Sequence, residues 1–135
     1  MDRVDIWVKT IIGIAGGVFS FLTGLFGLMF TVLILMMFVD YITGIMGAII
    51  SKEGLSSKKG YKGIFKKVYT MLLIGAVGAV EISVLKSNGV IADGVATAFI
   101  LVELTSILEN GGKMGVKIPA QLQKMISALR NKVGE

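Results

Sequence analysis

Between Thr10 and Ile50 the chain carries one charged residue, Asp40. Those 41 residues would make a helix about 60 Å long at ~1.5 Å per residue, against a hydrocarbon core about 30 Å thick. The run therefore reads as two spans, near 8–25 and 28–50, with the turn at Gly24 and Gly27 in TGLFG. One long tilted span preceded by an interfacial N-terminal helix is the alternative. Residues 51–67, SKEGLSSKKGYKGIFKK, set Lys52, Lys58, Lys59, Lys62, Lys66 and Lys67 against Glu53 alone. Glycines at 54, 60 and 63 interrupt this stretch, which predicts a short basic loop. A third span is expected from about Ile64 to Leu85, then the connector KSNG, then a fourth span near Val90–Leu108.

Beyond residue 109 the pattern changes. ENGGKMGVK is polar and Gly-rich, and Pro119 can open a helix at its first position. Ile118, Leu122, Met125 and Leu129 then share one helical face, with Lys124, Arg130 and Lys132 off it. This short basic amphipathic helix suits anionic lipid, a neighbouring subunit or ordinary packing on its own bundle. The pattern predicts an all-α integral membrane protein of about four transmembrane helices, with three as the alternative. Residues 1–110 would form the membrane domain and 111–135 a cytoplasmic tail.

Composition agrees. Hydrophobic residues make up 54% of the 135 and charged residues 17%, against about 25% charged in a soluble domain. Mean hydropathy is +0.81. Cysteine and histidine are absent, which removes disulfides, Cys/His metal sites and Cys–His or Ser–His nucleophile pairs. No Gly-rich phosphate loop follows a strand-like run, so neither an enzyme nor a cofactor is expected. The N-terminus, MDRVDIWVK, does not read as a cleaved signal peptide, and the chain is expected to be mature as given.

The net charge of +5 matters through its placement. The 51–67 loop and the tail are basic and two spans apart, whereas the 86–89 connector has only Lys86. Positive loops stay in the cytoplasm, so loop and tail are expected on the cytoplasmic side of the membrane. Lodged between spans, the lysines point to topology and lipid contact rather than nucleic acid.

Four carboxylates fall at membrane depth: Asp40, Glu81, Asp93 and Glu103. An ionised group at the bilayer centre costs several kcal/mol and normally faces protein or water. Asp93 and Glu81 lie near span ends and read as interfacial or structural. Asp40 and Glu103 lie deeper and are the candidates for a buried or pore-facing role. Asp40 shares a stripe with Gly44, Gly47 and Ser51, at steps of 4, 3 and 4. Similar stripes run through Gly13, Gly17, Ser20, Gly24 and Gly27, and through Gly75 and Gly78. Small residues let helices approach closely in lipid, within one bundle or between subunits.

Two stretches carry a family likeness. VDYITGIMGAIISKEGLSSKKGYKGIFKKV (39–68) and ELTSILENGGKMGVKIPAQLQKMISALR (103–130) resemble the two signatures of the phage holin family that includes the clostridial toxin-secretion holins. In that likeness Asp40, Tyr41, Thr43 and Gly44 match the first signature, and Glu103, Ser106, Glu109 and Asn110 the second. The resemblance implies a homo-oligomer that opens lesions through which an endolysin or a secreted toxin passes. A small ion- or proton-conducting channel, or a non-conducting antiholin, would use the same residues and remain alternatives.

Overall fold

The computed structural model describes residues 2–134, leaving aside the side chains of Leu22, Leu25, Phe26 and Val133. Five helices follow one another: α1 (Arg3–Phe26), α2 (Leu28–Ile50), α3 (Ser57–Ser83), α4 (Val90–Lys113) and α5 (Ala120–Gly134). The first four supply segments long and apolar enough to cross a membrane, Arg3–Phe21, Leu28–Ile50, Ser57–Ser83 and Val90–Lys113. The two-span reading of the first apolar run is therefore the right one. A single residue, Gly27, breaks it at φ 87, a backbone conformation in which a side chain would be strained.

Helix boundaries depart from the sequence pattern where glycine was taken as a breaker. Residues 57–67 belong to α3, so the expected loop shrinks to 51–56, and of the six lysines only Lys52 lies in it. Ser56 caps the helix, its hydroxyl accepting from the Lys59 amide at 3.4 Å. Gly60 and Gly63 sit inside the helix; a glycine there costs only about 1 kcal/mol against alanine. The turn is instead taken by Lys52 (φ 62) and Gly54 (φ 79). In the same way α4 runs through Gly111 and Gly112 to Lys113, past the expected domain boundary at 110. It stops at Gly115 (φ 82), where Val116 N–H reaches Gly111 O and Gly115 N–H reaches Gly112 O, both at 3.0 Å. That is a Schellman termination, which needs a left-handed residue at one position only.

The bundle is built on α2 and α4, which run parallel: Met29 meets Thr97 at one end and Gly47 meets Asn110 at the other. Helix α3 runs antiparallel to both. Its inward face steps through Lys67, Met71, Ile74, Gly78 and Glu81, alternating fours and threes, the spacing of left-handed helix packing. The apolar core is small: Leu33, Met37, Ile74 and Ala96 are buried, with Phe30, Met71, Phe99 and Ile100 among those packed round them. Large apolar side chains such as Trp7, Ile11, Phe38, Phe65 and Leu72 face outward. In water this would be untenable; in lipid it is the expected distribution. Helix α1 buries none of its apolar window and touches the rest through α2. Gly13, Gly16, Gly17, Gly24 and Gly75 have no neighbour that an added Cβ would meet.

The tail helix forms where expected, directly after Pro119, and packs on α4 of its own chain. Its contact face is turned from the expected one. Ile126 is buried and Ile118 and Leu122 half-buried, whereas Met125 and Leu129 are exposed. The physical reason is a fixed step of four, 118–122–126, held by Arg130 Nη2 donating to Thr105 Oγ1 at 2.7 Å.

At the far end of the bundle Glu81 is 1% exposed. Its carboxylate accepts from Ile91 N–H at 2.7 Å, Ala92 N–H at 2.8 Å and Ser87 Oγ at 3.0 Å. These amides are orphan donors in the first turn of α4, and a negative charge there also complements the helix dipole. Glu81 thus ties the α3–α4 hairpin. Glu81→Gln should lower stability by about 1–3 kcal/mol, the worth of charged hydrogen bonds. Amide exchange at Ile91 and Ala92 should rise; unchanged protection there would remove this role.

Candidate functional site

Three helices place one charged residue each at a common level. Asp40, Lys67 and Glu103 stand ten residues from the helix ends at Ile50, Ser57 and Lys113 respectively. That is about 15 Å into the bundle from the side of the 51–56 loop. Lys67 Nζ lies 2.8 Å from Asp40 Oδ2 and 2.5 Å from Glu103 Oε2. The three side chains are 18%, 14% and 11% exposed. One ammonium is therefore shared between two nearly buried carboxylates.

Asn110, one heptad beyond Glu103, completes the arrangement. Its Nδ2 donates to Asp40 Oδ1 at 3.0 Å, to the Asp40 carbonyl at 3.2 Å and to Thr43 Oγ1 at 3.0 Å. Thr43 can accept because its own hydroxyl proton points back to Val39 O, 2.9 Å away. Both Asp40 oxygens are thus engaged, one by a cation and one by an amide. Such satisfaction makes a buried charge tolerable.

The glycines allow the close approach. A Cβ built on Gly47 would meet Asn110 O at 3.3 Å and Lys113 Cβ at 3.7 Å; one on Gly44 would meet Asn110 Nδ2 at 3.7 Å. The stripe of Asp40, Gly44 and Gly47 therefore faces α4 of the same chain. Above the cluster a cavity of about 300 Å³ opens toward the loop, with Asp40, Lys67, Ser106 and Asn110 among its walls. Lys113 and Glu53, 3.4 Å apart and exposed, stand beside its mouth.

Most of the candidate residues meet here. Asp40, Thr43, Gly44, Gly47, Glu103 and Asn110 are in direct contact or one contact apart, and Ser106 lines the same cavity. Tyr41 stands at the rim with its hydroxyl over Gly60. Glu109 does not join; it is exposed and borders the groove between α4 and Arg130. Of the six lysines, Lys67 alone enters the cluster. Lys58, Lys59, Lys62 and Lys66 occupy the first turns of α3. The sequence pattern puts Lys67 with the lysines of a loop and marks Glu81 only as a carboxylate near a span end, so neither the buried partner nor the cap follows from it. The signal was present: they are the two ends of the stripe 67–71–74–78–81, whose other members are small or apolar. Among the described residues no group of acidic side chains could hold a metal.

The sequence profile of the bacteriophage holin family matches residues 17–131, covering all the helices that build this cluster. The chain belongs to that family. A protein named a probable holin, from Bacillus phage phi105, is 30% identical over 93 residues, 69% of this chain and 67% of its own. Uncharacterized proteins of Listeria monocytogenes and Clostridium perfringens are 35% and 33% identical, over 89% and 98% of this chain and 84% and 99% of theirs. No solved structure matches. Holin-family membership and the four apolar helices make this a multi-pass protein of the cytoplasmic membrane.

Two glycine variants separate close approach from mere small size in this holin-family bundle. Gly44→Ala places its methyl at an ordinary contact and should leave thermal stability in detergent within about 0.5 kcal/mol. Gly47→Leu must push against the backbone of α4, and should cost about 1–3 kcal/mol. Equal melting of both variants would show that α2 and α4 do not depend on this approach.

Proposed function

We propose that the protein is a lesion-forming holin whose polar cluster is the latch. It accumulates and oligomerises in the bacterial membrane and then opens a passage for a cell-wall hydrolase or a toxin. The observation that carries this reading is Lys67 shared between Asp40 and Glu103 inside an otherwise lipid-facing bundle. While α3 stays docked, the three charges satisfy one another. When α3 swings away they lose their partners at the inner edge of the hydrocarbon, and water must follow them. Copies opened in this way would present Asp40 and Glu103 to a common lumen. A closed and an open arrangement need differ by only a few kcal/mol for such a change to be switched by crowding.

The orientation proposed is loop 51–56, the first turns of α3 and the tail on the cytoplasmic side, with the 84–89 turn outside. All the basic clusters then lie inside. With cysteine absent from the natural chain, single cysteines at Ser57, Asn88 and Ser127 can be tested with an impermeant thiol reagent on intact cells. Only position 88 should label; labelling at 57 alone would invert the topology.

The latch is tested by the sign of its variants, with permeabilisation timed by membrane potential and by turbidity with a co-expressed endolysin. Asp40→Asn leaves a neutral Lys67–Glu103 pair and should delay lysis. Lys67→Gln leaves two facing carboxylates without their cation, a loss of about 3–5 kcal/mol, and should hasten it. The triple variant Asp40→Asn, Lys67→Gln, Glu103→Gln removes every charge, should insert normally, and should show the longest delay. Wild-type timing in all three would refute the latch. Collapse of the potential without endolysin release would favour a narrow ion channel instead.

A further inference from the structure

A second polar feature lies on the outer face of α3, away from the cluster. Lys62 and Lys66 are four residues apart on one side of the helix, and Phe65 and Tyr69 are four apart beside them. With Phe99 of α4 they border an open groove of about 560 Å³. Phe65 is 72% and Tyr69 66% exposed. Neither lysine has an ion-pair or hydrogen-bond partner for its ammonium among the described residues.

The groove has a definite depth. From Val68 to Leu85 the chain carries one charge, the capped Glu81. Those residues span about 27 Å at ~1.5 Å each, close to a full hydrocarbon core of about 30 Å. Lys62 therefore lies at headgroup level, Lys66 reaches it along its own stem from beside the level of the cluster, and Tyr69 and Phe99 lie beside the start of the acyl chains. The groove is cationic at its outer end and aromatic at its inner end, in that order along the membrane normal.

We propose that this groove binds one anionic phospholipid, its phosphate between Lys62 and Lys66 and its glycerol and acyl chain along Phe65, Tyr69 and Phe99. A second copy of the chain is the poorer occupant. A twofold contact here would bring these lysines against their own counterparts, and like charges facing each other oppose association. A zwitterionic lipid fills the apolar half equally but adds an ammonium where two already stand. Each lysine near an anionic headgroup is worth about fivefold in affinity, so the pair should give about 25-fold.

The test uses the full chain in nanodiscs of equal phosphatidylglycerol and phosphatidylcholine, released into mild detergent and weighed by native mass spectrometry. One phosphatidylglycerol per chain should be retained in preference to phosphatidylcholine. The Lys62→Gln, Lys66→Gln variant should lose that preference by about 25-fold. The charge-matched control Lys58→Gln, Lys124→Gln should keep it. Equal loss in the control would reduce the effect to diffuse attraction and overturn the site. Equal retention of both lipids in the natural chain would do so as well. A Phe65→Cys variant that cross-links between copies in the same nanodiscs would assign the groove to a second subunit and overturn the lipid.

Discussion

The fold depends on one ammonium group shared by two carboxylates. In lipid there is little hydrophobic drive to hold helices together, because the tails are as apolar as the side chains. The buried apolar core here is correspondingly slight. The arrangement of α2, α3 and α4 is set instead by where their charges can meet. Lys67 reaches Asp40 and Glu103 only if the three helices present the same level to one another, which fixes the longitudinal register of α3. Asn110 and the glycines at 44 and 47 then fix how close α2 comes to α4. Glu81 fixes the opposite end of α3 by holding the first turn of α4. Helix α3 is thus pinned through two polar residues of opposite sign, 14 positions apart, with apolar or small residues filling the stripe between them.

This division of labour explains the exposure of α1. Between Thr10 and Phe26 it has no charge. Among its described residues it has no buried side chain. Its glycines are open to the surroundings rather than to α2–α4. Helices α2, α3 and α4 form the unit that the shared charges hold together, and α1 is joined to it through the break at Gly27.

Much of this was legible in the sequence. Four spans followed from the length of the apolar runs, and α2 was bounded correctly because Gly27 breaks the run at one end and the polar residues from Ser51 onward end it at the other. Asp40 and Glu103 stood out because a carboxylate in hydrocarbon demands a reason. Lys67 did not, because it closes a run of lysines whose other members are solvated; composition made it part of a loop, and only the four-and-three spacing toward Glu81 set it apart. Gly60, Gly63, Gly111 and Gly112 misled for the opposite reason. Glycine permits a turn but does not impose one, and flanking packing carried the helix through all four. Residue identity at Gly54 and Gly115 was no different; what differed was the backbone conformation, which local sequence does not encode alone. The tail helix was found by its period, yet its inward residue, Ile126, was decided by the surface of α4.

The shared ammonium also has a consequence for biosynthesis. Asp40 leaves the ribosome 27 residues before Lys67, and Lys67 another 36 before Glu103. At about 5–20 residues per second each interval lasts seconds. Throughout the first, α2 carries a carboxylate whose cation does not yet exist, and its partition into lipid alone is opposed by several kcal/mol. The arrival of α3 cancels the imbalance, and the arrival of α4 brings a second carboxylate to the same ammonium. The favourable course is therefore for α2 to linger at the insertion machinery until its neighbours emerge, and for the three helices to enter the bilayer as a preassembled group rather than one at a time.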